Sequence, residues 1–228
     1  MDHFKEKTAR VVAILEQTVG SPPQAPYLPP LENLMLTLLS QNTNDVNRDK
    51  AYHKLRQQFQ TWEEVMEAET RDVAEAIRMA GLANQKSQRM QKILRWIHER
   101  YGALNLDALC EMTPQEAIET FCQLKGIGLK TISVVLAFSC GVDIFPVDTH
   151  VHRLCNRLGL VKPATKAADK TFDLMQARVP TGKSLSFHLH LIHHGRTICR
   201  ARKPVCGQCP LQSLCDDYVV RMQREITD

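Results

Sequence analysis

Between Leu31 and Thr113 the chain has no proline, whereas five prolines crowd the stretch just before it, at positions 22, 23, 26, 29 and 30. Proline has no amide proton and its ring clashes with the preceding turn, so it breaks helix interiors. The proline-free tract therefore leaves room for successive helices, and the proline run reads as an extended crossover between two bodies. Val11, Val12, Ile14, Leu15 and Val19 form a helical stripe over 6–19 that ends at Gly20. Positions 31–39 are nearly all apolar and predict a buried helix ending in Ser40-Gln41-Asn42-Thr43-Asn44, with Asp45 as the expected cap of a helix over 46–59. Thr61 with Glu64, and Thr113-Pro114-Gln115-Glu116, carry the pattern in which a threonine and an acid satisfy the first amides of a helix. A helix from Thr70 to Met79 stops at Gly81, and one over 85–101 buries Met90, Ile93, Leu94 and Ile97 before Gly102. No stretch alternates with a period of two, so the expected fold class is all-α.

With 228 residues, 43% apolar and 24% charged, the chain suits one large domain or two small ones. No apolar run approaches the roughly 18 residues that span a bilayer, and the charged start MDHFKEKTAR lacks a secretory core. The expectation is a cytosolic or nuclear protein with no membrane partner, in a compartment where disulfides are disfavoured. The chain ends 13 residues after its last cysteine, so no further domain is expected there. A net charge of +4 is compatible with an anionic partner without demanding one.

Cys199, Cys206, Cys209 and Cys215 form C-x6-C-x2-C-x5-C within seventeen residues. Four soft thiolates so close can wrap one soft metal centre, either a [4Fe–4S] cluster or a four-thiolate zinc. Only one short C-x2-C pair is present, and the longer loops suit a bulkier centre whose corner irons each take one thiolate. Cys110, Cys122, Cys140 and Cys155 lie in apolar helical surroundings and read as packed core thiols. Arg200, Arg202 and Lys203 fill the first loop of the cysteine motif with no acid among them. They can offset the negative charge of a four-thiolate centre, contact DNA phosphates, or simply be solvated.

Leu124-Lys125-Gly126-Ile127-Gly128 places two glycines about an apolar residue between two helices. Glycines let the backbone approach a partner closely, and amides at the start of the next helix can receive a phosphate. Lys130 falls in the first turn of that helix, where the macrodipole and any burial favour the neutral, nucleophilic amine. Asp148 would favour the ammonium if it came near. A solvent-facing lysine and an aspartate capping the helix over 149–158 satisfy the same positions.

LKGIGLKT, followed eighteen positions after its lysine by the aspartate of PVDTHVHRLCNRLGL, resembles the helix-hairpin-helix (HhH-GPD) DNA glycosylases. With the four-cysteine motif, the stretch from Leu31 to Tyr218 is similar to the endonuclease III-like members of that superfamily. The resemblance implies two helical domains with a DNA-binding cleft between them. One is a six-helix barrel over 28–142 containing the hairpin; the other is a discontinuous iron–sulfur domain from 1–27 and 143–228. It implies a base-excision-repair glycosylase and AP lyase acting on damaged, chiefly oxidised, pyrimidines. Lys130 would attack C1′ of a flipped nucleotide to give a Schiff base, followed by β-elimination, with Asp148 assisting. Cys199, Cys206, Cys209 and Cys215 would hold a [4Fe–4S] cluster.

Asn42, with Gln41 second, matches the residue that fills the gap left by the extruded base, and Leu82 matches an apolar wedge. Lys125, Gly126, Ile127 and Gly128, with Arg200, Arg202 and Lys203, are the implied backbone contacts. The implied partner is double-stranded DNA with damaged bases or abasic sites. The expected protein is a cytoplasmic monomer, nucleoid-associated if bacterial or archaeal. Lys125 stands where the family often has proline, and the gap-filling motif differs, which leaves lesion preference open. Lys130, and the lack of an acid near Thr37, argue against adenine excision. A uracil or thymine mismatch glycosylase of the same fold, or a non-catalytic DNA-binding or redox module, are the alternatives.

Overall fold

The computed structural model describes residues 2–22 and 27–227, with side chains to residue 223. Among the described residues every regular element is helical and there is no strand, so the all-α expectation holds. The chain divides into two compact units, Pro26–Val142 and a discontinuous one of Met1–Ala25 with Asp143–Asp228. The crossover expected over the prolines includes Pro23 and Pro26, which lie outside the described residues.

The first of these units contains α2 (Pro30–Ser40), α3 (Asp45–Gln58), α4 (Trp62–Glu67), α5 (Thr70–Ala76), α6 (Ala83–Tyr101), α7 (Pro114–Phe121) and α8 (Leu129–Ser139). Both threonine–glutamate boxes form, at Thr61–Glu64 and Thr113–Glu116. The cap of α3 is Asn44 rather than Asp45: its side chain accepts the Asn47 amide at 2.9 Å. Asp45 lies inside the first turn and pairs with Arg48 at 3.0 Å, because the chain enters the helix one residue earlier than expected.

Helix α8 packs on α2 and α7, and residues 131–137 are all buried. A helix that is apolar all round belongs inside a unit. Leu34, Met35 and Leu38 of α2 and Ile132, Val135 and Leu136 of α8 are each 2% exposed or less. Side chains of this kind contribute about 1.5–3 kcal/mol apiece on burial. The Asn33 amide donates to Ser139 Oγ at 2.9 Å, pairing the two buried polar groups between these helices.

The discontinuous unit holds α1 (His3–Val19), α9 (Thr149–Arg157), α10 (Ala168–Gln176), α11 (Ser184–Thr197) and α12 (Asp216–Thr227). Here α9 is the hub, packed by α10, α11 and α12, while α1 lies on α11. Phe145 stacks on Phe187 with ring centroids 5.4 Å apart, and Val11, Leu15, Leu154 and Leu191 complete the core.

The expectation for the remaining cysteines needs correction. Cys155 is fully buried, but Cys110 and Cys140 form a disulfide joining the 3-10 turn Asp107–Glu111 to the end of α8. Folding brings their Cα atoms to 4.9 Å across a sequence separation of 30, a proximity that no local pattern encodes.

Candidate functional site

After α7 the chain turns twice, with the Leu124 amide donating to Phe121 O and the Ile127 amide to Leu124 O, each at 3.0 Å. Gly126 has φ +104°, and a Cβ there would lie 1.9 Å from Cδ of Arg89, so only glycine fits without displacing that side chain. Ile127 is buried and holds the turn down, while Lys125 and Gly128 are exposed. Gly128 begins α8 with no side chain capping it. The first-turn amides thus have no side-chain acceptor, the arrangement that suits an external anion. Lys130 sits half-buried in that first turn, directly ahead of the fully buried part of α8.

Asp148 belongs to the discontinuous unit. Its Oδ1 accepts the Val151 amide at 2.8 Å, so it does cap α9, and its side chain is half-buried. Capping fixes the carboxylate's orientation.

Asn42, Leu82 and Lys203 are the non-glycine residues with positive φ among the described residues, at 54°, 51° and 51°. Left-handed backbone costs a non-glycine residue about 1–2 kcal/mol, and such strain collects at functional loops. All three are among the residues expected to contact DNA, and all three are exposed. Leu82 is 51% exposed, so it does not simply pack its own loop. Gln41 points elsewhere. Its amide donates to Gly126 O at 3.0 Å, and its Oε1 accepts from Arg89 Nη1 at 3.1 Å, so it is a strut of the hairpin rather than an outward-facing tip.

Sequence reasoning missed Lys86 and Arg89. Lys86 is 3% exposed, and its Nζ donates to Leu39 O and Ala80 O, both at 2.8 Å. Burial, with the nearby Arg89 charge second, pushes its pKa down to about 8. Only its burial was legible, since Lys86 shares the helical face of Met90, Ile93 and Ile97, a cation on an apolar stripe; its acceptors were not.

Cys199, Cys206, Cys209 and Cys215 line one cavity, together with Leu154, Leu158, Ile198 and Tyr218. Among the described residues no three His, Cys, Asp or Glu side chains converge on a point that would hold a single metal ion. Four cysteines that line one cavity are placed to share a common soft-metal centre. Burial, reinforced by the charges of Cys199, Cys215 and Cys206, drives the Cys209 thiol up to about 11. Arg157 donates to Cys199 Sγ at 3.4 Å and to the carbonyls of Arg200 and Ala201 at 2.8 and 3.0 Å. Arg153 donates to Gly195 O and Cys199 O, both at 2.9 Å. These arginines fix the loop that presents Arg200, Arg202 and Lys203, whose side chains are exposed.

The family model for HhH-GPD superfamily base excision DNA repair proteins matches residues 35–180, and that for the iron–sulfur binding domain of endonuclease III matches 199–215. The chain belongs to this superfamily, as an endonuclease III-like base-excision-repair DNA glycosylase with a [4Fe–4S] cluster as cofactor. Endonuclease III of Thermotoga maritima is 33% identical over 197 residues, covering 86% of this chain and 87% of its own. Endonuclease III of Synechocystis sp. is 32% identical over 213 residues, covering 92% of each chain. In the solved structures, a non-covalent endonuclease III–DNA complex superposes with a TM-score of 0.81 at 24% identity, over 96% of this chain and 98% of the other. No helix among the described residues is long and apolar enough to cross a membrane.

Proposed function

We propose that the chain binds duplex DNA, excises damaged and chiefly oxidised pyrimidines, and then nicks the strand as an AP lyase. The observation that carries this reading is Lys130, half-buried in the first turn of α8 immediately after a hairpin with an uncapped helix start. The Lys130 amine attacks C1′ of the flipped nucleotide, the glycosidic bond breaks and the base departs. The attached nitrogen then loses a proton and the C1′–O4′ bond opens, O4′ taking up a proton, to give the Schiff base; this acidifies the C2′ proton, whose loss expels the 3′ phosphate, and hydrolysis returns the amine. Asp148, oriented by its cap bond to Val151, stabilises positive charge on the sugar.

The hairpin amides of residues 126–128 and Lys125 receive a backbone phosphate. Asn42 fills the vacated gap and Leu82 wedges the stack, roles supported by their exposure and left-handed backbone. Cys199, Cys206, Cys209 and Cys215 would hold the cluster, which would close the 199–215 loop, and Arg200, Arg202 and Lys203 on that loop meet phosphates.

Borohydride reduction on an abasic duplex tests the mechanism: it traps a covalent adduct with wild type and none with Lys130→Ala. An adduct that persists in the variant moves the nucleophile elsewhere. Excision rates on thymine-glycol and on uracil–guanine duplexes test the lesion class, and faster uracil release would make this a mismatch glycosylase instead.

A further inference from the structure

Helix α6 sends two successive cations inward, and together they reach three separate segments of its unit. Lys86 bonds Leu39 O, three residues before the Asn42 tip, and Ala80 O, two residues before the Leu82 tip. One turn later, Arg89 bonds Gln41, which itself bonds Gly126 of the hairpin, and the Arg89 stem occupies the space that a Gly126 Cβ would need.

A buried ammonium held by carbonyl oxygens is a costly way to fill an interior; an apolar side chain of similar length packs there more cheaply. What an apolar side chain cannot do is bond two backbones at once. Lys86 can, because its ammonium carries three donors on a flexible stem. The two carbonyls that it joins lie next to the two strained, exposed tips of the unit.

We propose that Lys86 is a positioning residue that makes the Asn42 and Leu82 tips one preformed two-pronged device, so that both enter a duplex together. This rests on the reading of the chain as a base-flipping enzyme. A single strand offers no opposite base to estrange and no duplex step to wedge, so a device of this kind acts on duplex alone.

The test is affinity for a non-cleavable tetrahydrofuran abasic analogue, placed in a duplex and in the same single strand. Lys86→Met, which keeps the length and removes the donors, should lose about tenfold on the duplex and stay within about twofold on the single strand. Lys86→Arg restores donors and should recover most of the loss. An equal loss on both forms means a merely structural lysine and overturns the proposal, as does no loss on either.

Should Lys86→Met fail to fold, the exposed tips supply a second route. Asn42→Ala and Leu82→Ala, combined, should cost little more than the worse single change if the tips act as one. Losses that multiply would overturn the coupling. A wild type that binds the analogue duplex without nicking a natural abasic duplex removes the lyase assignment, and this proposal then stands or falls on the affinities alone.

Discussion

The hairpin segment 121–130 and the cysteine segment 199–215 are both loops with little regular structure, yet they are held by opposite means. The hairpin is fastened from beneath by its unit: Ile127 is buried, Gln41 and Arg89 brace Gly126, and α8 behind it is apolar all round. The cysteine segment buries little of its own. Only Leu211 and Leu214 enter the core, and its two 3-10 turns are a single turn each. Its other supports include Arg153, Arg157 and His194, with the four cysteines around their cavity. Where apolar burial is available, polar struts suffice to aim a loop; where it is not, a cofactor has to close it.

The contrast can be broken most decisively at Lys130. Lys130→Ala should abolish the borohydride-trapped adduct while leaving iron content and visible absorption as in wild type. Cys209→Ser is the reciprocal case: it should release the iron, bleach the visible absorption and open 199–215 to protease. In that variant amide exchange in α2 and α8 should stay protected. Protection lost equally from both segments would show that they are not independently held. Next in size is Gly126→Ala, which forces a side chain into positive φ and onto Arg89. It should cost about 1–2 kcal/mol in denaturant unfolding and weaken abasic-duplex binding. Thr113→Ala removes an exposed cap of α7 and should cost about 1 kcal/mol without changing DNA affinity.

A further difference concerns pH. Lys86 titrates near 8 in the folded protein and near its ordinary 10.5 when unfolded, so the unfolded chain binds more protons between those values. Its contribution to stability therefore rises with pH across that window, as the cost of burying the charge is relieved. Thermal melts at pH 7.5 and 10 should show this increment in wild type and its absence in Lys86→Met.

Much of the site was legible because its signals are local. Thr61, Thr113 and Asp148 cap helices through amides three residues on, and the glycines at 126 and 128 mark a turn wherever they occur. The four cysteines needed only their spacing to indicate a shared centre, and the single short pair with two longer loops already pointed to a cluster over zinc. The fold gathers them around one cavity, and the match of 199–215 to the iron–sulfur binding domain of endonuclease III identifies the cluster. By contrast, Gln41 and Asn42 are neighbours of similar chemistry, and only the fold separates the strut from the tip.

The sequence by itself determined most of the helices, the caps at Thr61, Thr113 and Asp148, the hairpin and the metal-binding character of the last segment, since each depends on hydrogen bonds or ligands a few residues apart. Tertiary structure alone decided where Lys86 goes, which of Gln41 and Asn42 faces outward, and that Cys110 meets Cys140. Lys86 finds one acceptor 6 residues away and the other 47 away, and the disulfide spans 30. Partners at such distances are set by how whole helices pack, because a side chain turns towards whichever unpaired carbonyl or thiol the packing brings within reach.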